Sequence, residues 1–559
     1  MRVMAKKESM LSFRLKRFGS FIVKLFRVWQ GTLGVLLIST FVFLAFFPFL
    51  FTPYNTLGQD PKMPDRFLAK DRAAPSWLRN IPTFLGGNPT LSENYDFVED
   101  PSLPRLTTWD PSGEWTFESN EFFTCEPSDL DYPVSKTPKW FKYPPKNGSI
   151  AIEYSRTASQ FPNQTFVATL YIQHEYPFSG PPGRWVGNIA VNVNGTLTKY
   201  GTLQVPVLVR VFIQAENGTR YTMWYSQMIF GGFNVPQYLQ MPTTRALNNF
   251  GGWLIPQNTW ESSISWMDSN AQQSREYEPR FALPRNPVRD AFNNNPGTYL
   301  YGAEIYVKDT QTPSSDVSVT VYIDNFSFDT LGTSWGILGT DQYGRDLFSQ
   351  LIYGTRVSLY VGTTVALLSI TLGLLIGLGS GYIGGAVDQL SMRINDLLLV
   401  LPGLPFLVVL VAIFGARLEN LILFMGLLGW NGFARLVRSQ TLSLKERPFV
   451  EAAKAAGAST PHVIVTHILP NVMALVYISL ATSVPGAVTA EAALSWLGFY
   501  DPMRMSWGRM LYEATESGAL NAWWWIIPPG LLISILAVAF IVLGFALDDV
   551  LNPKLRVRR

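Results

Sequence analysis

Hydrophobic and polar positions follow two different patterns along this chain. Residues 29–51 and several stretches after residue 339 are long apolar runs with few charges, whereas residues 52–338 mix polar, proline and aromatic residues. A helix needs about 20 apolar residues to cross the roughly 30 Å hydrocarbon core of a bilayer. The pattern therefore predicts an integral membrane protein with a large inserted domain. The predicted spans are residues 29–51, 357–382, 397–415, 418–433, 468–494 and 524–547.

The inserted region carries an alternating pattern in its second part. From about residue 149, runs rich in Val, Ile, Thr and Tyr are separated by turn signals such as Asn194-Gly195 and Asn217-Gly218. Short strands at this spacing are typical of a β-sandwich. The expected fold class is an α-helical membrane protein with six transmembrane helices and an inserted, mainly-β domain. The predicted strands are residues 149–154, 165–175, 185–193, 204–214, 220–229, 299–307 and 317–328.

The distribution of charge predicts how these elements are oriented. The net charge is only +3, but acidic residues outnumber basic ones within residues 52–338, and basic residues predominate elsewhere. Basic residues beside spans mark the cytoplasmic side, and they occur in segment 1–28, in the loop 439–467 and in the tail 551–559. We expect a multi-pass protein of the inner (plasma) membrane with both termini in the cytoplasm. Residues 52–338 are then extracytoplasmic.

The first apolar run is interpreted as an uncleaved transmembrane helix. A secretory signal peptide has a shorter apolar region and a small-residue cleavage site. Residues 29–51 are longer than such a region, and Phe51-Thr52-Pro53-Tyr54 does not resemble a cleavage site. The other five spans fall within a core of residues 339–550. An even number of spans places the C-terminus on the same side as the N-terminus.

Groups that support catalysis or cofactor binding are scarce in the sequence. A single cysteine, Cys125, excludes an intrachain disulfide, and the three histidines are far too few for a metal cage. The sequence contains no Gly-x-x-x-x-Gly-Lys-Ser/Thr phosphate loop. We expect no enzyme activity, no metal and no cofactor. Nucleic acid is not expected as a partner either, because the basic residues lie beside spans rather than on an aromatic-rich soluble face.

The most informative segment is an alanine-rich stretch in the loop 439–467. Residues Glu451 to Gly457 read Glu-Ala-Ala-Lys-Ala-Ala-Gly, and Ile468-Leu469-Pro470-Asn471 follows. Strong helix formers ended by a glycine predict a short helix. Small alanine side chains would let this helix enter a narrow groove on another protein, with Glu451 and Lys454 at the rim. For the heptad alone, a surface helix without a partner is the alternative.

Other short motifs accompany this loop in a fixed order. They are Gly339-Thr340-Asp341, Gly344-Arg345-Asp346, residues 352–359, 429–430, 434–438, 467–471, 491–498 and 506–508. With these motifs the chain resembles, over about residues 338–556, the inner-membrane permeases of ATP-binding-cassette importers. The branch it resembles transports dipeptides, oligopeptides or nickel. Within this resemblance, Glu451-Ala452-Ala453 with Gly457 is similar to the family's "EAA" loop.

The resemblance implies a type I importer permease that performs no chemistry itself. It would form half of the translocation pathway for peptides or similar solutes, with nickel complexes and oligosaccharides left open. The implied partners are a second homologous permease subunit, two cytoplasmic ATP-binding subunits, an extracytoplasmic solute-binding protein and the lipid bilayer. The residues that the resemblance assigns to ATPase coupling are Glu451, Ala452, Ala453, Gly457, Ile468, Leu469 and Pro470.

The chain departs from the family pattern in two places. Gly544-Phe545-Ala546-Leu547-Asp548-Asp549 stands where the family has a charged Gly-Asp-x-Leu-Arg-Asp run, which removes the basis for a specific salt bridge there. The family's loop between the first and second spans is short, whereas here it is the long region 52–338. We recognise no family in that region.

Two features inside the predicted spans each allow two interpretations. Glu491 is a carboxylate well inside a span, where an ionisable group costs about 2.5–3.5 kcal/mol on insertion scales. It either lines the pathway or forms a hydrogen bond between helices. Gly373, Gly377 and Gly381 recur every four residues, which suits close helix packing or a seam that moves during transport.

Two other functional classes fit parts of the pattern. An ATP-independent transporter or channel is disfavoured by the alanine-rich loop and by the lack of repeated inverted halves. A membrane-anchored receptor with a ligand-binding β domain is disfavoured because six helices exceed what an anchor needs. Recovery of the protein with ATP-binding subunits and a second permease would separate the importer from both.

Overall fold

Two units, one helical and one mainly β, make up the chain in a computed structural model. The helical unit comprises Met1–Gly58 and Leu347–Arg559, and the β unit comprises Gln59–Asp346. Most of the predicted cytoplasmic segment 1–28 and the tail 551–559 lie outside the described residues. The structure describes residues 23–61, 68–83, 87–92, 95–96, 115–128, 130, 149–160, 164–195, 205, 207–225, 261–268, 287–292, 296–309 and 316–551.

Helices account for nearly all of the described helical unit. Among the α-helices of the described residues, the short helix α2 belongs to the β unit. In chain order the helices are α1 Trp29–Phe46, α2 Pro287–Ala291, α3 Leu347–Ile383, α4 Gly385–Val400, α5 Gly403–Phe414, α6 Leu418–Gly429, α7 Asn431–Lys445, α8 Pro448–Ala455, α9 Thr460–Val463, α10 Leu469–Trp496, α11 Trp507–Glu516 and α12 Trp523–Leu551.

Five helical segments within the described residues are long and apolar enough to cross a membrane. A further candidate is the pair α4–α5, which is bent by 90° at a short break. The break falls at Pro402, and Leu401 before it adopts an extended backbone (φ −68°, ψ 132°) because a residue preceding proline disfavours the helical region. The five segments are Trp29–Phe46, Leu347–Ile383, Leu418–Lys445, Thr460–Trp496 and Trp523–Val550. A count of six spans remains a prediction.

The β unit contains two antiparallel sheets. One sheet has the order β3-β4-β11-β6-β9, with β1 paired to β11, and the other has the order β2-β5-β10-β7-β8. The strands are β1 Tyr95–Asp96, β2 Trp115–Glu118, β3 Phe123–Ser128, β4 Ser149–Arg156, β5 Gln164–Tyr176, β6 Arg184–Gly195, β7 Val207–Gln214, β8 Arg220–Tyr225, β9 Glu261–Asp268, β10 Gly297–Asp309 and β11 Val317–Leu331.

Both sheets contribute alternate residues to one hydrophobic core. Val321 and Ile323 of β11 lie in the same buried cluster as Ala303 and Ile305 of β10, although the two strands belong to different sheets. Successive side chains of a strand point to opposite faces, so this spacing brings one face of each sheet inward. The arrangement is that of a β-sandwich, as the alternating pattern predicts.

Four of the described strands fall outside the predicted set, and the first of them is the two-residue strand β1. β2 and β3 lie in the proline-rich first part of the insert, where the sequence shows no clear period, and β9 lies beyond the predicted runs. β2 and β3 are short, at 4 and 6 residues, so neither offers enough alternation to be recognised. Each is instead held at an edge of its sheet by pairing with a longer strand, β2 with β5 and β3 with β4.

A buried ion pair joins the ends of two strands in this core. The guanidinium of Arg156 donates to both carboxylate oxygens of Asp309, and the Tyr154 hydroxyl donates to Asp309 Oδ2 at 2.8 Å. Both charged side chains are fully buried. Burial raises the pKa of Tyr154, and the hydrogen bond to Asp309 raises it further. The three groups link β4 to β10, which belong to opposite sheets.

Candidate functional site

The alanine-rich segment forms a short exposed helix, α8, in the helical unit. Pro448 occupies its first turn, where the missing N–H is not needed for helix bonding. Val450 is fully buried, while Glu451 and Ala452 are exposed and Ala453 is half-buried. One side of α8 therefore anchors the helix, and its alanine side faces outward with no steric obstruction within the described residues.

Gly457 ends this helix in a left-handed conformation. Its φ is +86°, which is unfavourable for residues with a Cβ atom. The N–H of Gly457 donates to Lys454 O at 2.9 Å, and the N–H of Ala458 donates to Ala453 O at 3.1 Å. These two bonds form a Schellman motif, which satisfies carbonyls that the helix end would leave unpaired. The glycine thus sets where α8 stops and how the chain turns away.

The Ile-Leu-Pro-Asn motif lies where the loop enters α10. Residues Ile464–Ile468 form a π-helical turn, and the N–H of Leu469 donates to Ile464 O. Pro470 follows in the first turn of α10, where its ring and missing N–H disfavour regular α-helical bonding to the turn before it. The amide of Asn471 donates to His467 O at 2.7 Å and so satisfies a carbonyl of that turn.

Both parts of the predicted coupling region share one hydrophobic cluster. Val450 of α8 and Ile468, directly before α10, are fully buried. They pack with Tyr382 of α3 and Val437 of α7. The structure therefore brings together the segments around Glu451 and around Pro470. They share one hydrophobic base with the ends of α3 and α7.

Two arginine–carboxylate pairs join α4 to α7 near this cluster. The Arg438 guanidinium donates to both oxygens of Asp388, at 2.5 and 2.6 Å, and Arg435 pairs with Asp396. Two parallel bonds of this kind fix orientation as well as distance. The sequence analysis assigned no partner to these residues, because their separations of 39 and 50 positions leave no local signal.

The three regularly spaced glycines of α3 lie directly against α7. A Cβ at Gly373 would meet Trp430 O at 2.9 Å, and one at Gly377 would meet Ala434 O at 2.7 Å. At Gly381 the nearest atom would be Thr441 Cβ at 2.8 Å. Real Cβ atoms do not approach so closely, so the glycines permit the backbones of α3 and α7 to touch. This geometry supports the packing interpretation over a moving seam.

Glu491 is buried within α10 and binds two hydroxyl groups. Its Oε1 accepts hydrogen bonds from Ser495 Oγ at 2.8 Å and from Ser506 Oγ at 2.7 Å. Ser506 also caps α11 by accepting from the N–H of Arg509 at 3.2 Å. The carboxylate therefore ties α10 to the start of α11. This geometry fits the hydrogen-bond interpretation, and among the described residues its buried Oε2 has no hydrogen-bond partner.

A cavity of about 380 Å³ lies among α3, α5, α6 and α10. Apolar side chains such as Leu407 and Met425 line most of it, with Ser369 and Ser483 as polar groups. Gly403 and Gly486 also face it, at the start of α5 and within α10. The sequence analysis missed this cavity, since its lining comes from four helices and has no shared motif.

The motif around Asp341 belongs to the β unit by its contacts. Asp341 Oδ1 accepts from the backbone N–H groups of Tyr343 and Arg345 at 2.8 and 3.0 Å, and Oδ2 accepts from Arg345 Nε at 2.6 Å. Gly344 within this turn has a φ of +66°. The carboxylate therefore organises its own loop, and Asp346 closes it through a backbone bridge to Thr340.

The same motif also binds an earlier part of the β unit. Thr340 Oγ1 donates to Lys70 O at 2.5 Å and accepts from Ala73 N at 2.9 Å. Gly339 has a φ of +74°, and a Cβ there would lie 2.0 Å from Ala73 O. Position 339 therefore needs a glycine, and position 340 needs a side-chain hydroxyl, to hold this local structure. These contacts of Gly339 and Thr340 all lie within the β unit.

Comparison with known proteins identifies the family. Residues 369–557 match the model of the "Binding-protein-dependent transport system inner membrane component". Over 219 residues the chain is 39% identical to the dipeptide transport system permease protein DppC of Bacillus subtilis, covering 39% of this chain and 68% of that protein. It is also 39% identical over 218 residues to the oligopeptide transport system permease protein OppC of Haemophilus influenzae, covering 39% and 70% of the two chains.

A solved structure of the MetNI methionine ABC transporter in an inward-facing conformation is also similar to part of the chain. The match covers 37% of this chain and 96% of that one, with 18% sequence identity and a TM-score of 0.30. At this TM-score the likeness adds nothing to the assignment. The sequence matches carry it, and the chain belongs to the family of binding-protein-dependent transport system inner membrane components, the permease subunits of ATP-binding-cassette importers.

Proposed function

We propose that this permease forms half of a translocation pathway for peptides or similar solutes and that α8 is the point at which a cytoplasmic ATPase docks. The names of the relatives above, a dipeptide and an oligopeptide permease, support peptides as the solute class. ATP hydrolysis occurs in partner subunits, so this chain contributes contacts and movement. The residues that we assign to docking are Glu451, Ala452, Ala453, Gly457, Ile468, Leu469 and Pro470.

The complete assembly would contain a second homologous permease, two ATP-binding subunits and a solute-binding protein. We place α8, both termini and the ATPases in the cytoplasm, because basic residues flank the spans there. The β unit is then extracytoplasmic, where the solute-binding protein delivers its cargo. Six spans, with α4–α5 counted as one, give the even number that this topology requires.

The observation that carries this proposal is the contrast between the two sides of α8. Val450 is fully buried in the cluster with Tyr382 and Ile468, so the base of α8 is fixed. Ala452 and Ala455 are exposed and small, so a cleft in another protein can close around the outer side. A fixed base with a narrow exposed side suits a helix that receives force from a partner.

A tryptophan at position 452 tests the proposal. Ala452 is exposed, so Ala452→Trp leaves the core of the permease intact and obstructs only a groove that must close on α8. We expect co-purification with the ATPase subunits and ATP-driven uptake to fall by at least about tenfold, the effect of losing roughly 1.4 kcal/mol or more of docking energy. Co-purification is measured from solubilised membranes, and uptake in proteoliposomes.

Ala386→Trp is the matched control, because Ala386 is an exposed alanine of α4 outside the coupling loop. It should retain both ATPase binding and uptake. Normal uptake by Ala452→Trp would contradict the docking assignment. Uptake that continues without any ATPase subunit would instead favour the ATP-independent transporter.

A further inference from the structure

Two lysine side chains from different helices lie against the ring of Tyr382. Lys445 Nζ is 5.6 Å from the ring centroid, and Lys454 Nζ is 5.3 Å from it. Both distances fall within the roughly 6 Å over which an ammonium is attracted to an aromatic face. Tyr382 is the second-last residue of α3, Lys445 is the last residue of α7, and Lys454 lies in α8. One ring therefore contacts a cation from each of two other helices.

The ring belongs to a rigid part of the helical unit. Gly377 and Gly381 bring α3 into backbone contact with α7, and the contacts advance along both helices in the same direction, so the two helices are parallel. Tyr382 directly follows Gly381, and only 7% of its surface is exposed. Lys445 is the last residue of α7, the other helix of this pair. Tyr382 and Lys445 thus move together, as parts of α3 and α7.

α8 is attached to this pair by few contacts. Two residues, Glu446 and Arg447, connect it to α7, and Val450 packs below it in the shared cluster. Ala453 also packs against this cluster, and Lys454, one turn beyond Val450 on α8, contacts the pair through the Tyr382 ring. Lys454 is itself exposed, so water reaches its ammonium and the attraction to the ring lies at the weaker end of the range for such contacts.

We propose that Tyr382 is a positioning residue that holds α8 to the α3–α7 pair through Lys454, so that displacement of α8 by the ATPase moves these helices. This rests on the proposed docking of an ATPase at α8. In this proposal Lys454 contacts the permease's own helices. The sequence alone does not show this, because there Lys454 is only a charged residue at the rim of the docking helix. Lys445 holds the same ring from the α7 side.

The experiment uses the complete importer in proteoliposomes and measures solute transported per ATP hydrolysed. Tyr382→Leu keeps an apolar side chain in the cluster but removes the aromatic face. We expect the transported-to-hydrolysed ratio to fall about twofold to fivefold, while the ATPase subunits still co-purify. Tyr382→Phe keeps the ring and should restore the ratio to near the wild-type value. A ratio in Tyr382→Leu equal to that in Tyr382→Phe would overturn the inference.

A double-mutant cycle separates this role from general packing. Lys454→Met keeps the length of the side chain without its charge, so it should lower the ratio as Tyr382→Leu does. If the ring and the ammonium act as a pair, combining the two substitutions adds little further loss. Fully additive losses would overturn the inference. Failure of the wild-type protein to retain ATPase subunits would overturn the proposed function itself, and the role of Tyr382 with it.

Discussion

The helical unit and the β unit differ in where their informative residues lie. In the helical unit the residues proposed for coupling form a short local motif, and the family match at residues 369–557 lies entirely within this unit. In the β unit the sequence shows mainly which residues are buried, such as the alternate positions of β10 and β11. A docking helix is recognisable from a few adjacent residues, whereas a sandwich core is spread over many strands.

Buried carboxylates in this chain are held either by a cation or by hydroxyl groups alone, and the helical unit has both kinds, since Glu513 of α11 is paired with Arg509. In the β unit, Asp309 is paired with the guanidinium of Arg156, and Glu304 is paired with Arg210 and Arg220. In the helical unit, Glu491 meets two serine hydroxyls instead of a cation. A charged pair must be kept whole, whereas a carboxyl group that only accepts hydrogen bonds can be replaced by a neutral acceptor. Substitutions at the two sites should therefore behave differently.

Removal of the Asp309 carboxylate should have the largest effect on stability. Asp309→Ala leaves the buried Arg156 guanidinium without its carboxylate, and breaking such a pair costs about 3–5 kcal/mol. We expect faster hydrogen exchange throughout β4, β10 and β11 in the full-length protein. Co-purification with the ATPase subunits should be retained, since α8 belongs to the other unit.

Asp290→Ala is the control for this prediction. Arg289 and Asp290 form a pair in which both side chains are partly exposed, at 52% and 26%. Exposed pairs contribute about 0–1 kcal/mol, so exchange in the sandwich should be almost unchanged. Equal effects of Asp290→Ala and Asp309→Ala would show that the buried pair has no special role.

Substitution of Glu491 should have the next largest effect, and the two variants should differ. Glu491→Gln keeps a side-chain carbonyl that can accept from Ser495 and Ser506, so uptake should stay within about twofold of wild type. Glu491→Leu removes the one oxygen that accepts from both hydroxyls, and burying unsatisfied hydroxyls costs about 1–3 kcal/mol each. We expect a lower yield of folded protein in detergent and loss of uptake. Inactivity of Glu491→Gln with normal folding would instead favour a direct role in the pathway.

The sequence was sufficient for features that depend on neighbouring residues. The alanine-rich helix, its end at Gly457 and the two-sheet β region follow from local composition and period. The cavity beside Met425 and the pair Arg438–Asp388 could not be predicted, because they depend on which helices are adjacent. The turn around Asp341 was recognised as a motif, but its contacts with residues 70–73 became clear only from the structure.

Two glycines of α3 allow a direct comparison between a glycine packed against another helix and a glycine without a neighbour. Gly377 and Gly379 are in the same helix, two residues apart, but a Cβ at Gly377 would lie 2.7 Å from Ala434 O, whereas one at Gly379 would have no neighbour within 4 Å. Gly377→Ala should therefore force α3 and α7 apart at a cost of about 1–3 kcal/mol. Gly379→Ala should be neutral or slightly stabilising, because alanine favours helices over glycine by about 1 kcal/mol. Thermal unfolding of the solubilised permease would rank the two variants against wild type. Equal melting temperatures would mean that the seam between α3 and α7 can open without cost, and the moving-seam interpretation would then be preferred.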